Sequence, residues 1–133
     1  MPEDSSDRYA FDVCGFEELK QVGAITVTFR NSEHRVHDVG VFWDGEAAYA
    51  IENLCPHAFG FLHAGSIQPR KVICPVHAAV FSLETGQCLD GFTYDTKAYA
   101  TEVRDGRVWV HLPGEEPWER KGPKWVRGKG FFE

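Results

Sequence analysis

Long apolar runs are missing from this 133-residue chain. None approaches the ~20 residues that cross a bilayer as a helix, so no membrane span is expected. Met1 to Phe11 is acidic and polar, without the positive start and apolar stretch of a secretory signal, and a cytoplasmic location is expected. Cysteine is scarce: Cys14, Cys55, Cys74 and Cys88 are the four, below the density of a disulfide-stapled domain. Basic residues are outnumbered, 14 against 20 acidic, for a net charge of −6. The imbalance is uneven: residues 1–117 hold nine basic and eighteen acidic side chains, whereas 118–133 hold five and two. An acidic body lacks the basic patch that nucleic acid requires. Such a charge steers the chain toward a positively charged protein surface or simply keeps it soluble. There is no Ser-His-Asp set, no recognisable carboxylate-pair motif and no glycine-rich phosphate loop.

What is present reads as one folded domain. Residues 1–10 form an acidic tail, expected to be flexible. Ala24 to Phe29 is rich in β-branched residues, and Val39 to Phe42 is an apolar run. A turn at Trp43-Asp44-Gly45-Glu46 returns the chain into Ala47 to Ile51 as a hairpin. Lys71 to Ile73 and Val80 to Leu83 are short strands, and Thr85-Gly86 is a turn. Tyr99 to Val103 and Val108 to Leu112 flank a second hairpin signal, Asp105-Gly106. The helical candidate is brief, Phe16 to Lys20. Short strands with regular turns predict an all-β fold, an antiparallel sandwich or barrel. Pro113-Gly114-Glu115-Glu116-Pro117 marks a boundary. The extension over 113–133, with Trp118, Trp125, Phe131 and Phe132 among basic residues, has no clear periodicity; packing on the body, binding a partner and mobility are the alternatives, and its aromatics favour docking over disorder.

Two short segments carry chemistry: Cys55-Pro56-His57 and Cys74-Pro75-Val76-His77, with sixteen residues between His57 and Cys74. Each offers one thiolate and one imidazole in a loop stiffened by proline. Together they make a Cys₂His₂ site. Zinc accepts such a set as a tetrahedron, and a [2Fe–2S] cluster accepts it when two histidines replace cysteines on one iron. Zinc fingers usually pair cysteine with cysteine and histidine with histidine. Here each loop supplies one of each, which favours the cluster, with Cys55 and Cys74 on one iron and His57 and His77 on the other.

The order Cys-x-His, a gap of about this length, then Cys-x-x-His resembles the Rieske family. The likeness extends upstream through Asp44-Gly45 and Tyr49-Ala50-Ile51-Glu52-Asn53, and downstream through Phe81, Thr85-Gly86 and the Tyr99 to Val110 hairpin, over residues 11–112. It implies a sheet base from which a small cluster-binding subdomain projects, near residues 54–90. Membrane-complex members carry a further cysteine in each loop, where this chain has Gly60 and Val76, and a serine where it has Ala79. Losing donors near the sulfurs points to the low end of the Rieske range, roughly −150 mV. The chain is also too short for the mononuclear-iron domain of a Rieske oxygenase. The resemblance therefore implies a small soluble ferredoxin that passes single electrons from a flavin-dependent NAD(P)H reductase to a terminal oxygenase, with no catalysis and no small-molecule substrate of its own. The alternative is a Rieske subunit of a larger enzyme such as nitrite reductase. Ala78 stands where many relatives have glycine, and Leu89-Asp90-Gly91-Phe92 lacks the proline of their third loop. The insert Asn31 to His37 lies outside the common pattern.

The remaining candidates have plainer readings. Cys14 and Cys88 are expected to be buried and inert. His63 reads as structural, with a second-sphere bond near the cluster as the sharper reading. His34 and His37 are expected in solvent, and His111 on the outer face of its strand. Phe59, Phe61 and Leu62 either pack the cluster region or form an apolar rim for a partner.

Overall fold

The computed structural model describes residues 10–31, 36–53, 61–76, 78–91, 93–112, 118–126 and 130–132, the last two stretches as backbone. Of the acidic tail expected over 1–10, only Ala10 falls among them, and it opens the first strand. The Pro113–Pro117 boundary and His34 lie outside the described residues.

Eleven strands are described: β1 Ala10–Gly15, β2 Ala24–Asn31, β3 Val36–Trp43, β4 Ala48–Glu52, β5 Ser66–Gln68, β6 Lys71–Ile73, β7 Val80–Ser82, β8 Ala98–Arg104, β9 Arg107–His111, β10 Trp118–Val126 and β11 Gly130–Phe132. One helix, α1, covers Phe16–Val22. Eight strands form an antiparallel sheet in the order β1-β9-β8-β4-β3-β2-β10-β11, and β5-β6-β7 form a second, small sheet. Phe11 on β1 meets Phe29 on β2 with ring centroids 4.8 Å apart, although their strands are far apart in that order. The large sheet therefore curls on itself around one core, the barrel-like base expected.

That core comes from strand alternation. Val27 pairs with Val39 and Ile25 with Val41, and all four point inward with Leu19, Val108 and Val110. A bulge between Asp12 and Cys14 sends both Val13 and Cys14 into it. The opposite face of β2, β3 and β4 carries Ala24, Phe42 and Ile51, which join Leu62, Val72, Phe81 and Leu83 in a second core under the small sheet. This explains why Val39 to Phe42 is buried at every position: both faces of β3 are covered.

Local chemistry agrees with these elements. Helix α1 has Glu17 and Glu18 in its first turn and Lys20 in its last, in line with the helix dipole. Gly23, at φ 91°, ends it, donating its N–H to the Leu19 carbonyl. Both Asp105 and Gly106 have positive φ, 53° and 74°, as a two-residue hairpin turn requires. The C-terminal segment adds to the sheet: β10 pairs along β2, with a register shift between Lys121 and Trp125. Pro123, which has no N–H to give a ladder, lies in that shift.

His37 corrects the sequence reading. It was expected in solvent, yet it is buried at 9% exposure. β3 already begins at Val36, and His37 pairs with Phe29, so its side chain points inward with Val39 and Val41. Tyr99 Oη donates to Glu52 Oε1 at 2.9 Å. Its oxygen is left to accept from His37 Nδ1–H at 2.6 Å. His111 alternates with buried Val110 and Leu112, as expected for an outer position, but Glu102 lies 3.3 Å from its ring and covers it.

Candidate metal centre

The two predicted ligand loops follow β4 and β6 in the chain. Of the four candidate ligands, Cys74 is described. Cys55, His57 and His77 lie outside the described residues, as do Phe59 and Gly60.

Cys74 follows β6 directly. Its N–H donates to the Ala79 carbonyl at 2.8 Å, and its carbonyl accepts from Ala78 N–H at 3.0 Å. These bonds close a tight turn from β6 to β7 whose exposed tip holds Pro75 and Val76. Ala78 completes the turn at φ 63°, the left-handed conformation that glycine adopts without steric cost. Alanine has thus kept the backbone that a glycine would give here. The Cys74 side chain is 2% exposed and packs in the second core with Leu62, Phe81 and Leu83. It is in no disulfide. A buried thiol in apolar surroundings fits a cluster ligand, because the pocket keeps water from the sulfur.

A third loop, after β7, folds back over this turn. Leu89 N–H reaches the Val80 carbonyl at 2.7 Å, and Cys88 N–H reaches Asp95 Oδ1 at 2.8 Å. The Cys88 thiol is buried and donates to Asp90 Oδ1 at 3.2 Å, while Cys14 sits in the large core. Both match the expectation of buried cysteines. Phe61, Val76 and Leu89 are 40%, 49% and 52% exposed, whereas Leu62 is fully buried. Of the stretch following the first motif, Leu62 therefore packs inward and Phe61 faces solvent in part.

The segment carrying Cys55 and His57 is bracketed by two buried polar residues, Asn53 and His63, which bond to each other. His63 is thus buried and bonded to Asn53 through both its N–H and its ring. Asn53 entered the sequence reading only as part of the segment leading into the first loop. An asparagine where a strand breaks into a loop, ready to bond nearby backbone, was the available signal.

Comparison with known proteins agrees with this architecture. The chain is 32% identical over 108 residues to the 3-phenylpropionate/cinnamic acid dioxygenase ferredoxin subunit of Photorhabdus laumondii, covering 78% of this chain and 95% of that one. It is 28% identical over 102 residues to the ferredoxin component of the naphthalene 1,2-dioxygenase system of Pseudomonas aeruginosa, covering 76% and 93%. Among solved structures, the ferredoxin of carbazole 1,9a-dioxygenase from Nocardioides aromaticivorans superimposes with a TM-score of 0.63 at 27% identity, covering 79% of this chain and 99% of that one. Residues 10–111 match the family model for the Rieske-like [2Fe–2S] domain, so the chain belongs to that family and its cofactor is a [2Fe–2S] cluster.

Proposed function

We propose that this protein is a ferredoxin, a carrier of single electrons with no bond-making reaction of its own. Cys55 and Cys74 would hold one iron, and His57 and His77 the other. When bound, the cluster supplies one-electron chemistry, alternating between an oxidised and a singly reduced form. The chain's own residues do the rest. The turn from Cys74 to Ala79 fixes one thiol at a buried position. Leu62, Phe81 and Leu83 surround it with apolar volume. The exposed Phe61, Val76 and Leu89 side chains would supply apolar contacts for brief docking. The donor is a flavin-dependent NAD(P)H reductase and the acceptor a terminal oxygenase, in keeping with the names of the relatives, which are ferredoxin parts of dioxygenase systems. No described helix is long and apolar enough to cross a membrane.

The observation that carries the reading is the buried Cys74 thiol at the head of a closed turn, within a domain matching these ferredoxins nearly end to end. The test uses anaerobically purified protein: visible absorption and electron paramagnetic resonance before and after dithionite, with iron, sulfide and zinc assays. The expected result is a red-brown protein with about two irons and two sulfides per chain and a Rieske-type signal on reduction. A colourless protein with about one zinc would remove the electron-transfer reading.

A further inference from the structure

Every polar group of Asn53 is bonded. Its N–H donates to the Asp38 carbonyl at 2.7 Å, and its own carbonyl accepts from Leu62 N–H at 2.7 Å. Its Oδ1 accepts from His63 N–H at 2.8 Å, and its Nδ2 lies 3.0 Å from His63 Nδ1. The orientation of the amide follows from the chemistry. Only the oxygen can accept from a backbone N–H, so Nδ2 is the donor and His63 Nδ1 must be an acceptor. Three of the four bonds therefore cross from residue 53 to residues 62 and 63. They close the segment 54–61, which contains Cys55 and His57.

The closure is built into both neighbouring layers. On the β3 side, a Cβ at Gly40 would lie 3.0 Å from Asn53 Oδ1 and 2.8 Å from the Phe42 ring, so glycine there makes the room Asn53 occupies. On the other side, the 3₁₀ turn Leu62–Ala64 ends at Gly65. A Cβ on Gly65 would run into the Ile73 carbonyl, and Ser66 pairs with Ile73, one residue before Cys74. The same few residues thus fasten the end of the first loop to the strand that delivers Cys74.

We infer that Asn53 and His63 are a positioning pair: they fix the two ends of the segment that carries Cys55 and His57 beside the strand that leads to Cys74, and retention of the cluster depends on that closure. Neither residue binds iron. Both act through the loop between them, and the inference rests on the ligand assignment proposed above.

The experiment follows iron release from the intact holoprotein under a ferrous chelator, well below the melting temperature, together with thermal melting and the electron paramagnetic resonance spectrum of the reduced state. Asn53→Ala removes both side-chain bonds and is expected to release iron about tenfold faster or more, the usual scale for losing a residue that orients a ligand, with a shifted or broadened signal. Val27→Ala, which thins the large core, is the control of comparable melting loss, expected to keep the parent release rate and signal. His63→Leu preserves volume but leaves Asn53 Nδ2 without its acceptor, whereas His63→Gln restores an acceptor. Leu should release iron faster and Gln largely rescue it, and this pair carries the test if Asn53→Ala does not fold. Equal release by Asn53→Ala and Val27→Ala, or by the two His63 variants, would overturn the inference while leaving the ligand set intact. An unaltered protein without iron would overturn the ligand assignment instead.

Discussion

The large curled sheet and the small three-stranded sheet are held together in different ways. Strands of five to nine residues build most of the first, with inward positions filled by alternation and a core that spans the barrel from β1 to β3. Each strand of the second is three residues long, too short to stand alone. The small sheet borrows Ala24, Phe42 and Ile51 from the outer face of the base and fixes its loops with side-chain bonds. Asp44 illustrates this: Oδ1 accepts from Glu46 N–H and Ala47 N–H, and Oδ2 from Arg70 N–H in the turn between β5 and β6. The small sheet is thus held by a core it shares with the base and by a few polar contacts that fix its turns.

Removing a ligand should break the comparison most completely. Cys74→Ser or His77→Ala is expected to abolish the visible spectrum and the reduced-state signal, while circular dichroism still reports the eight-stranded sheet. Native absorbance in either variant would refute the ligand assignment. Next in size are paired truncations, Phe29→Ala in the large core and Phe81→Ala in the small one, both side chains being fully buried. Each should lose about 3–5 kcal/mol in denaturant unfolding. Only Phe81→Ala should also hasten iron loss in protein that is still folded. Equal iron loss from both would mean that the two cores act as one.

Two carboxylates sharpen the same contrast through pH. Burial alone would raise the pKa of Asp44, but the backbone N–H groups of Ala47, Arg70 and Glu46 outweigh it and hold the carboxyl below its ordinary 3.8. Its contribution is therefore present above that value and lost as pH falls through the lower, folded value. Glu52, at the rim of the large core, behaves oppositely. Burial raises it above its ordinary 4.5, despite hydrogen bonds from Tyr99 and Asp38. Its favourable contribution exists below 4.5 and is lost as pH rises through the folded value. Unfolding measured from about pH 3 to pH 7 should show the deficit of Asp44→Asn, roughly 1–3 kcal/mol at neutral pH, shrinking toward acid. The Glu52→Gln variant should gain on the parent as pH rises. Parallel curves for parent and variants would exclude both assignments.

The hairpins at Asp44-Gly45 and Asp105-Gly106, the short helix at Phe16 and the strands around Val27, Val41, Val72, Phe81, Thr101 and Val110 were legible, because turn chemistry and β-branched runs act over a few residues. His37 was misread because polarity was weighed before parity: counted back from Val39 and Val41 it points inward, where Tyr99 and Glu52 await it. Asn53 was passed over because its bonds close only when residue 63 arrives, and the strand role of the C-terminal segment because its ladder forms against β2, distant in sequence. Three of the four proposed ligands, Cys55, His57 and His77, rest on spacing and resemblance, since they lie outside the described residues.

The smallest expected effect separates two turns with the same backbone. Gly86 and Ala78 both have positive φ, 80° and 63°. At Gly86 a Cβ would stand 2.5 Å from the Thr96 carbonyl oxygen, so Gly86→Ala should be strongly destabilising and should disturb the third loop. Ala78 already carries that Cβ, exposed to solvent and thus with little packing to lose. The left-handed conformation costs a non-glycine residue about 1 kcal/mol, against which glycine loses somewhat more chain entropy on folding. Ala78→Gly should therefore stabilise the protein by less than about 1 kcal/mol, seen as a small rise in the unfolding midpoint with the cluster spectrum unchanged. A clear loss of stability instead would mean that the rigidity of alanine in the turn beside Cys74 outweighs its strain, and that this loop, unlike the one at Gly86, is held by its limited freedom.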